Sequence, residues 1–165
     1  MTSAGETILI LEEDLQVQWI LRTFLESKGH TSIALDKVEK IPEAVKDRHF
    51  TVFITTEYWT NPSGLLKAIK ELKKAFPGIY ILLTTYRTMD ENEYETFFQA
   101  GVDDFLEKPF SLKKIPILLN KRLRKDWCAK EIGPQTEALW PERNGEGHSG
   151  FSSMISLNKV TSGGE

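Results

Sequence analysis

The chain has 165 residues, 40% of them hydrophobic and 27% charged, which is enough for one folded domain, and its formal net charge of −3 at pH 7 gives no overall bias toward nucleic acid. Its single cysteine, Cys128, excludes an internal disulfide, and its three histidines lack the spacing of a structural metal site. The apolar runs are too short to span a bilayer and the N-terminal residues lack a signal-peptide pattern, so we expect no membrane partner and a cytoplasmic location.

Five short β-rich runs alternate with helical patterns, which predicts a parallel sheet with helices on both faces. The runs are residues 7–11, 31–35, 51–56, 79–84 and 103–106. Several of them are continuously apolar rather than alternating, as expected of strands that are covered on both sides. The pattern therefore indicates an α/β fold with three layers.

Apolar side chains recur at helical spacing between the strands, so each such stripe is expected to lie on the sheet. The first stripe is Val17, Ile20, Leu21, Phe24 and Leu25, and a later one is Leu65, Leu66, Ile69, Leu72 and Phe76. A fourth helix is predicted from Glu91 to Ala100, with Asp90 as its cap. A fifth helix is expected to begin near Ile115, with Pro116 in its first turn.

Charge and composition change toward the end of the sequence. Residues 111–132 contain seven lysines and arginines against two acidic residues, which gives the predicted fifth helix a basic character. Residues 133–165 contain six glycines, five serines and two prolines, and such a segment buries too little apolar surface to offset its ordering entropy. We predict a folded domain over residues 1–132 and a flexible tail over residues 133–165.

Polar side chains follow the predicted strands, where an open parallel α/β sheet places its functional crevice. They are Glu12, Glu13 and Asp14 after the first strand, Thr56 and Glu57 after the third, Thr84 and Thr85 after the fourth, and Glu107 and Lys108 after the fifth. An acidic cluster, a hydroxyl and a lysine at one edge could bind a divalent cation together with an anion. The alternative is that these residues have only structural roles, since acids that cap helices and lysines near strand ends are common.

The spacing of these groups resembles the receiver domain of bacterial response regulators, the CheY-like family, over nearly all of residues 7–130. The run GVDDFLEKPF, residues 101–110, is similar to the family's GADDYLTKPF. ILILEED is similar to the opening strand and acidic pair, FTVFITT to the third strand and LLTT to the family's LLTA, and Gly64 stands where the family has its loop glycine. The resemblance implies a doubly wound, flavodoxin-like sheet with five strands in the order 2-1-3-4-5.

The resemblance also implies roles for single residues. Thr84 stands at the position of the hydroxyl that senses the phosphoryl group, Lys108 at that of the lysine that pairs with it, and Phe105 at that of the aromatic switch residue. Glu12 and Glu13 stand in place of the usual two aspartates. Their extra methylene displaces the carboxylates, so we expect a weak magnesium site at best and no other cofactor.

Thr56 is the decisive departure, because it stands where the family has its phosphoacceptor aspartate. Loss of that carboxylate removes both the nucleophile and a metal ligand. The local sequence positions no base to activate the Thr56 hydroxyl, since the nearest acid, Glu57, is the next residue and should point elsewhere. A shifted register that makes Glu57 the acceptor is disfavoured by the eight-residue spacing from Thr56 to Gly64.

Without the aspartate, no phosphoryl group would separate the lysine from the acidic pair. A direct pairing of Lys108 with Glu12 or Glu13 is therefore expected, and it would fix the site in one state.

The resemblance places the output surface on the fourth helix, fifth strand and fifth helix, where aromatic and basic side chains typical of protein interfaces occur together. Its expected members are Tyr94, Phe98, Lys121, Arg122 and Trp127, with Phe97 and Phe105 nearby. The alternative is that Phe97 and Phe105 belong to the core and the lysines to a solvated helix face. Receivers often dimerise through this surface, so a weak homodimer is also expected.

Together these features predict an atypical receiver in two-component signalling that is not an enzyme and acts by phosphorylation-independent protein–protein interaction. Two other functions remain open. One is a phospho-switchable receiver that uses a residual magnesium and phosphate site; a small-anion sensor is a minor variant of the atypical receiver itself, since the vacated pocket could admit another anion. The other is nucleic-acid binding through the basic fifth helix, which we consider the weaker interpretation because no DNA-binding module follows in the sequence.

Overall fold

A computed structural model describes residues 5–57 and 61–121, all of which belong to one compact unit, Met1–Leu123. The boundary predicted at residue 132, the predicted tail, and the side chains of Arg122 and Trp127 lie outside the described residues. No helix within the described ranges is long and apolar enough to cross a membrane.

The sheet has five parallel strands in the order β2-β1-β3-β4-β5, as the resemblance implied. The strands are β1 Thr7–Leu11, β2 Thr31–Leu35, β3 Val52–Thr56, β4 Tyr80–Thr85 and β5 Asp104–Glu107. The helices are α1 Leu15–Ser27, α2 Ile41–Val45, α3 Pro62–Ala75, α4 Glu91–Ala100 and α5, which begins at residue 114 and continues to the end of the described range at 121. A single turn of 3-10 helix, Val38–Lys40, precedes α2. The predicted strands agree with these bounds to within one residue at each end.

Two apolar layers cover the sheet, one on each face, and this explains the continuously apolar strands. Leu9 and Leu11 of β1 point into the layer that contains α3 and α4, whereas Ile8 and Ile10 point into the layer formed with α1 and α5. Successive side chains of a strand alternate between its two faces, so a strand buried on both sides needs apolar residues at every position.

The apolar stripe predicted on α1 is wrong at one position, Ile20. Leu21 and Leu25 are buried on the sheet, but Ile20 is 44% exposed. Each residue advances 100° around a helix, so Ile20 lies one step outside the face centred on Leu21 and Leu25. Beside it, Trp19 is 67% exposed, and Leu15 is exposed to a similar extent.

The ends of α4 and α5 follow from local chemistry. The Asp90 side chain accepts a hydrogen bond from the Glu93 N–H, and the Glu93 carboxylate accepts one from the Asp90 N–H, which forms a capping box. Gly101 ends α4 with a φ of +120°, a conformation that L side chains rarely adopt. Pro116 lies in the first turn of α5, as predicted, where its missing N–H removes no helical hydrogen bond.

Gly64, which the resemblance placed in a loop, lies in the first turn of α3. The Asn61 side chain caps this helix by accepting a hydrogen bond from the Gly64 N–H at 2.9 Å. A β-carbon at position 64 would approach the Asn61 side chain to 2.4 Å. The glycine therefore makes room for the cap rather than for a turn.

Candidate functional site at the carboxyl ends of the strands

Four side chains that the sequence singled out lie together at the carboxyl edge of the sheet. Glu12 directly follows β1, Thr56 ends β3, and Thr84 of β4 is the register partner of Thr56. Lys108 follows β5 and reaches back across this edge. All four side chains are largely withdrawn from solvent: Glu12 is 3% exposed and the Lys108 side chain 8%. Parallel strands bring these positions together because their carboxyl ends share one edge.

The Glu12 carboxylate is the centre of the site. One of its oxygens, Oε2, accepts a hydrogen bond from Lys108 Nζ at 2.7 Å and another from Thr56 Oγ1 at 2.5 Å. The predicted ion pair between Lys108 and this glutamate is therefore confirmed. Glu13, the other predicted member of the acidic pocket, is exposed. A buried ion pair of this kind is held by short, charge-assisted hydrogen bonds.

A carboxylate from a distant part of the sequence lies beside Thr56, because the Thr56 hydroxyl donates a hydrogen bond to Glu12. The two residues are 44 positions apart, so inspection of the residues adjacent to Thr56 could not find this partner. Glu57 does point elsewhere, as predicted, since its carboxylate contacts Thr85 and Arg87.

The Thr56 hydroxyl contacts the other three side chains of the site. It donates to Glu12, since an ionised carboxylate can only accept. Its oxygen also lies 3.1 Å from Lys108 Nζ, which donates to it, and 3.0 Å from Thr84 Oγ1. The Thr84 hydroxyl in turn donates to the Thr55 carbonyl oxygen at 3.3 Å. The Thr56 hydroxyl is therefore held between a carboxylate and an ammonium group.

Lys108 uses all three of its N–H donors. The third hydrogen bond goes to the Tyr86 hydroxyl at 3.0 Å, and the Tyr86 ring centroid lies 4.2 Å from Nζ, within the range of a cation–π interaction. Tyr86 is 54% exposed and covers the lysine from the solvent side. The sequence analysis missed this residue, since an aromatic residue two positions after Thr84 carries no distinctive pattern.

The side chains of this site do not form a suitable set of ligands for a magnesium ion. The Glu12 oxygen that faces the site is engaged by a lysine and a hydroxyl proton, Thr56 is a neutral alcohol, and Glu13 is exposed. Within the described ranges, no group of three or more histidine, cysteine, aspartate or glutamate side chains is arranged to hold a metal. Magnesium requires near-octahedral oxygen ligands at close range, which this arrangement does not supply.

A second polar group, which we call the Arg87 cluster, lies beside the site and consists of Glu57, Thr85, Arg87 and Glu93. Arg87 donates to the buried Glu57 carboxylate at 2.6 Å and to both carboxylate oxygens of Glu93 on α4. Thr85 donates to Glu57 at 3.0 Å. Hydrogen bonds from the Arg87 guanidinium and from the Asp90 N–H lower the pKa of Glu93 to about 2. The sequence analysis did not identify Arg87 or Glu93.

The titration of Glu93 provides a direct check of this cluster. The carboxyl of Glu93 is expected to titrate with a pKa near 2, and Arg87→Ala should return the pKa toward its ordinary value of 4.5. Because the folded-state pKa is the lower one, the stabilisation is fully present above pH 4.5 and is lost as pH falls toward 2. NMR of the side-chain carboxyl carbons against pH measures both values. Arg22→Ala, at an exposed arginine of α1, should leave the Glu93 titration unchanged; a wild-type pKa near 4.5 would contradict the contacts.

Part of the predicted output surface belongs to the hydrophobic core. Phe97 is buried, and the half-buried Tyr94 and Phe105 pack edge to face against each other with ring centroids 4.9 Å apart. Phe98 and Lys121 are exposed. The alternative interpretation, that the phenylalanines at 97 and 105 belong to the core, is therefore correct for Phe97 and partly correct for Phe105.

The chain belongs to the family described as response regulator receiver domain, whose family model matches residues 8–120. Receivers of this family are signalling modules of two-component systems, and response regulators interact with partner proteins such as kinases and effectors.

Among curated relatives, the chain is 26% identical over 118 residues to the transcriptional regulatory protein RprY of Bacteroides fragilis, covering 72% of this chain and 49% of that protein. It is 27% identical over 131 residues to the transcriptional regulatory protein ResD of Bacillus subtilis, covering 76% of this chain and 51% of that protein. The chain thus spans about half the length of these relatives.

Solved structures agree on the fold. A two-component response regulator from Clostridium difficile superposes with a TM-score of 0.65 at 21% identity, covering 73% of this chain and 97% of that one. A response regulator from Thermotoga maritima gives a TM-score of 0.64 at 16% identity, with coverage of 73% and 98%.

Proposed function

We propose that this receiver is an atypical one, which acts through phosphorylation-independent protein–protein interaction. The observation that carries the proposal is the contact of Lys108 Nζ with Glu12 Oε2 at 2.7 Å, made beside a threonine at the end of β3. In this proposal Thr56 stands at the phosphoacceptor position, and Thr84 and Lys108 stand at the phosphoryl-sensing positions. The internal ion pair takes the place that a phosphoryl group would occupy between them.

The chemistry of the Thr56 hydroxyl supports this proposal. An aspartate at this position would attack a phosphorus atom as an anion, whereas a threonine must first lose its proton. The Glu12 carboxylate accepts the Thr56 hydrogen bond, but the same carboxylate oxygen is already paired with the Lys108 ammonium group. The Thr56 oxygen also accepts a hydrogen bond from Lys108. The pocket is therefore suited to hold one arrangement rather than to accept and release a phosphoryl group.

The surface of α4, β5 and α5 is the proposed site of partner binding. Phe98 and Lys121 are its exposed members among the described residues, and Tyr94 and Phe105 form its half-buried floor. Aromatic side chains and arginine are enriched at protein interfaces, and Phe98 and Arg122 are residues of these types. Arg122 and Trp127 are proposed to extend this surface, which is also the proposed contact of a weak homodimer.

The response to phosphoryl analogues tests the proposal. The chain is incubated with magnesium and beryllium fluoride, or with acetyl phosphate, while the amide resonances of Thr56, Thr84 and Lys108 are followed by NMR. We expect no saturable shift with either reagent, because no carboxylate occupies the end of β3. A receiver that carries the usual aspartate, treated in parallel, shows that the reagents are active. Saturable shifts at these three residues would support the phospho-switchable alternative instead.

A further inference from the structure

The loop between β4 and α4, residues 86–90, is attached to three neighbouring parts of the chain. The Tyr86 hydroxyl accepts from Lys108 after β5, and the Thr88 hydroxyl donates to Glu107 at 3.3 Å. Arg87 makes the connection between Glu57 after β3 and Glu93 in the first turn of α4. The loop is therefore held by contacts with the ends of β3 and β5 and with the first turn of α4.

Arg87 is the centre of these attachments. Its guanidinium binds Glu93 through two hydrogen bonds, and the same group donates to the Glu57 carboxylate, which is 9% exposed. A planar guanidinium can engage two carboxylates at once in a fixed geometry, which an ammonium group cannot do. Glu57 follows β3 and Glu93 lies in the first turn of α4, so Arg87 joins the end of β3 to α4.

The contact with Glu93 also determines how α4 begins. The Glu93 oxygen that accepts from Arg87 Nη1 at 2.7 Å also accepts from the Asp90 N–H at 2.9 Å, as part of the capping box. Tyr94, the next residue, packs on Phe105 of β5. The arginine, the helix cap and the aromatic pair therefore form one continuous series of contacts.

We propose that Arg87 is a positioning residue that holds the first turn of α4, and with it the Tyr94–Phe105 pair, in a single arrangement. This inference rests on the proposed function to the extent that the surface of α4, β5 and α5 binds the partner. Without Arg87, the Glu57 and Glu93 carboxylates have no cation between them, and the buried Glu57 retains only the Thr85 hydroxyl from the cluster. Loss of the arginine therefore frees the loop and the helix start.

Hydrogen exchange tests the inference with the full chain. In Arg87→Ala, the backbone amides of residues 91–94 and of the loop 86–90 are expected to exchange at least about tenfold faster than in wild type, because this region opens without global unfolding. Amides of β1 and β3 should keep their wild-type rates. Arg87→Lys should fall between the two, since its single ammonium cannot bind both glutamates in the same way. Arg22→Ala, which removes an exposed ion pair of α1, is the matched control and should change neither region.

Unchanged exchange at residues 91–94 in Arg87→Ala would overturn the inference. If that variant does not fold, Glu93→Gln keeps the size of the side chain and weakens the same contact, and it must still accelerate exchange in the first turn of α4. The measurement uses neither a partner nor a phosphodonor. Its failure would leave the phosphorylation-independent function standing, and a response to beryllium fluoride would leave the role of Arg87 standing.

Discussion

Glu12→Ala is expected to lower the free energy of unfolding by about 3–5 kcal/mol, the usual cost of removing one partner from a buried ion pair. The substitution leaves the Lys108 ammonium, whose side chain is 8% exposed, with only the Thr56 and Tyr86 hydroxyls as hydrogen-bond acceptors. It also leaves the Thr56 hydroxyl without the carboxylate that it contacts at 2.5 Å. Urea unfolding followed by circular dichroism measures the change.

Two further variants separate this ion pair from general effects of charge. Glu13→Ala removes the neighbouring exposed carboxylate and should change stability by no more than about 0.5 kcal/mol. The double variant Glu12→Leu with Lys108→Met removes both charges, so it should be less destabilised than the sum of its single variants. Equal, small effects of Glu12→Ala and Glu13→Ala would show that the ion pair does not hold the site together.

Phe53→Ala is expected to destabilise the chain by about 3–5 kcal/mol through the cavity that it leaves. Phe53 is the second residue of β3, is completely buried, and packs in the layer between the sheet and helices α3 and α4. Thermal unfolding monitored by calorimetry measures the loss. Because β3 also positions Thr56 at its end, a fall in stability here weakens the support of the site without touching its polar contacts.

Trp19→Ala is the matched control, since it also truncates a large aromatic side chain. Trp19 is 67% exposed on α1, so its removal leaves no cavity and should change stability by about 0.5 kcal/mol or less. A Trp19→Ala variant as unstable as Phe53→Ala would mean that the outer face of α1 is covered in solution.

Regular structure could be predicted from the sequence where local signals agree with one another. Helix α4 has a capping residue, Asp90, at one end and a glycine with positive φ at the other, and its predicted bounds are those observed. Helix α2 was not delimited, because five residues are too short to display a helical period. Ile20 was assigned to the wrong face, because a position at the edge of an apolar stripe fits a periodic pattern whether it is inside or outside.

The site was predictable where the family resemblance supplied two oppositely charged positions, and not where a contact is made by a hydroxyl or by a loop residue. The approach of Lys108 to Glu12 follows from two strand ends at one edge. The hydrogen bond from Thr56 to Glu12 and the pairing of Arg87 with Glu57 span 44 and 30 positions, respectively. No local pattern reports such distances, since they depend on strand order and on the path of a loop.

Successive side chains of β1 alternate between the two apolar layers. The geometry of the site therefore depends on the number of residues in β1 more than on which aliphatic residues they are. Leu11 is opposite Thr55 in the register of β1 and β3, and this places the next residue, Glu12, beside Thr56. Inserting one residue within β1 would turn Glu12 toward the opposite side of the sheet and bring Leu11 to the lysine. Swapping one aliphatic residue for another in this strand preserves the count, so variants of that kind would keep the acid and its cation together.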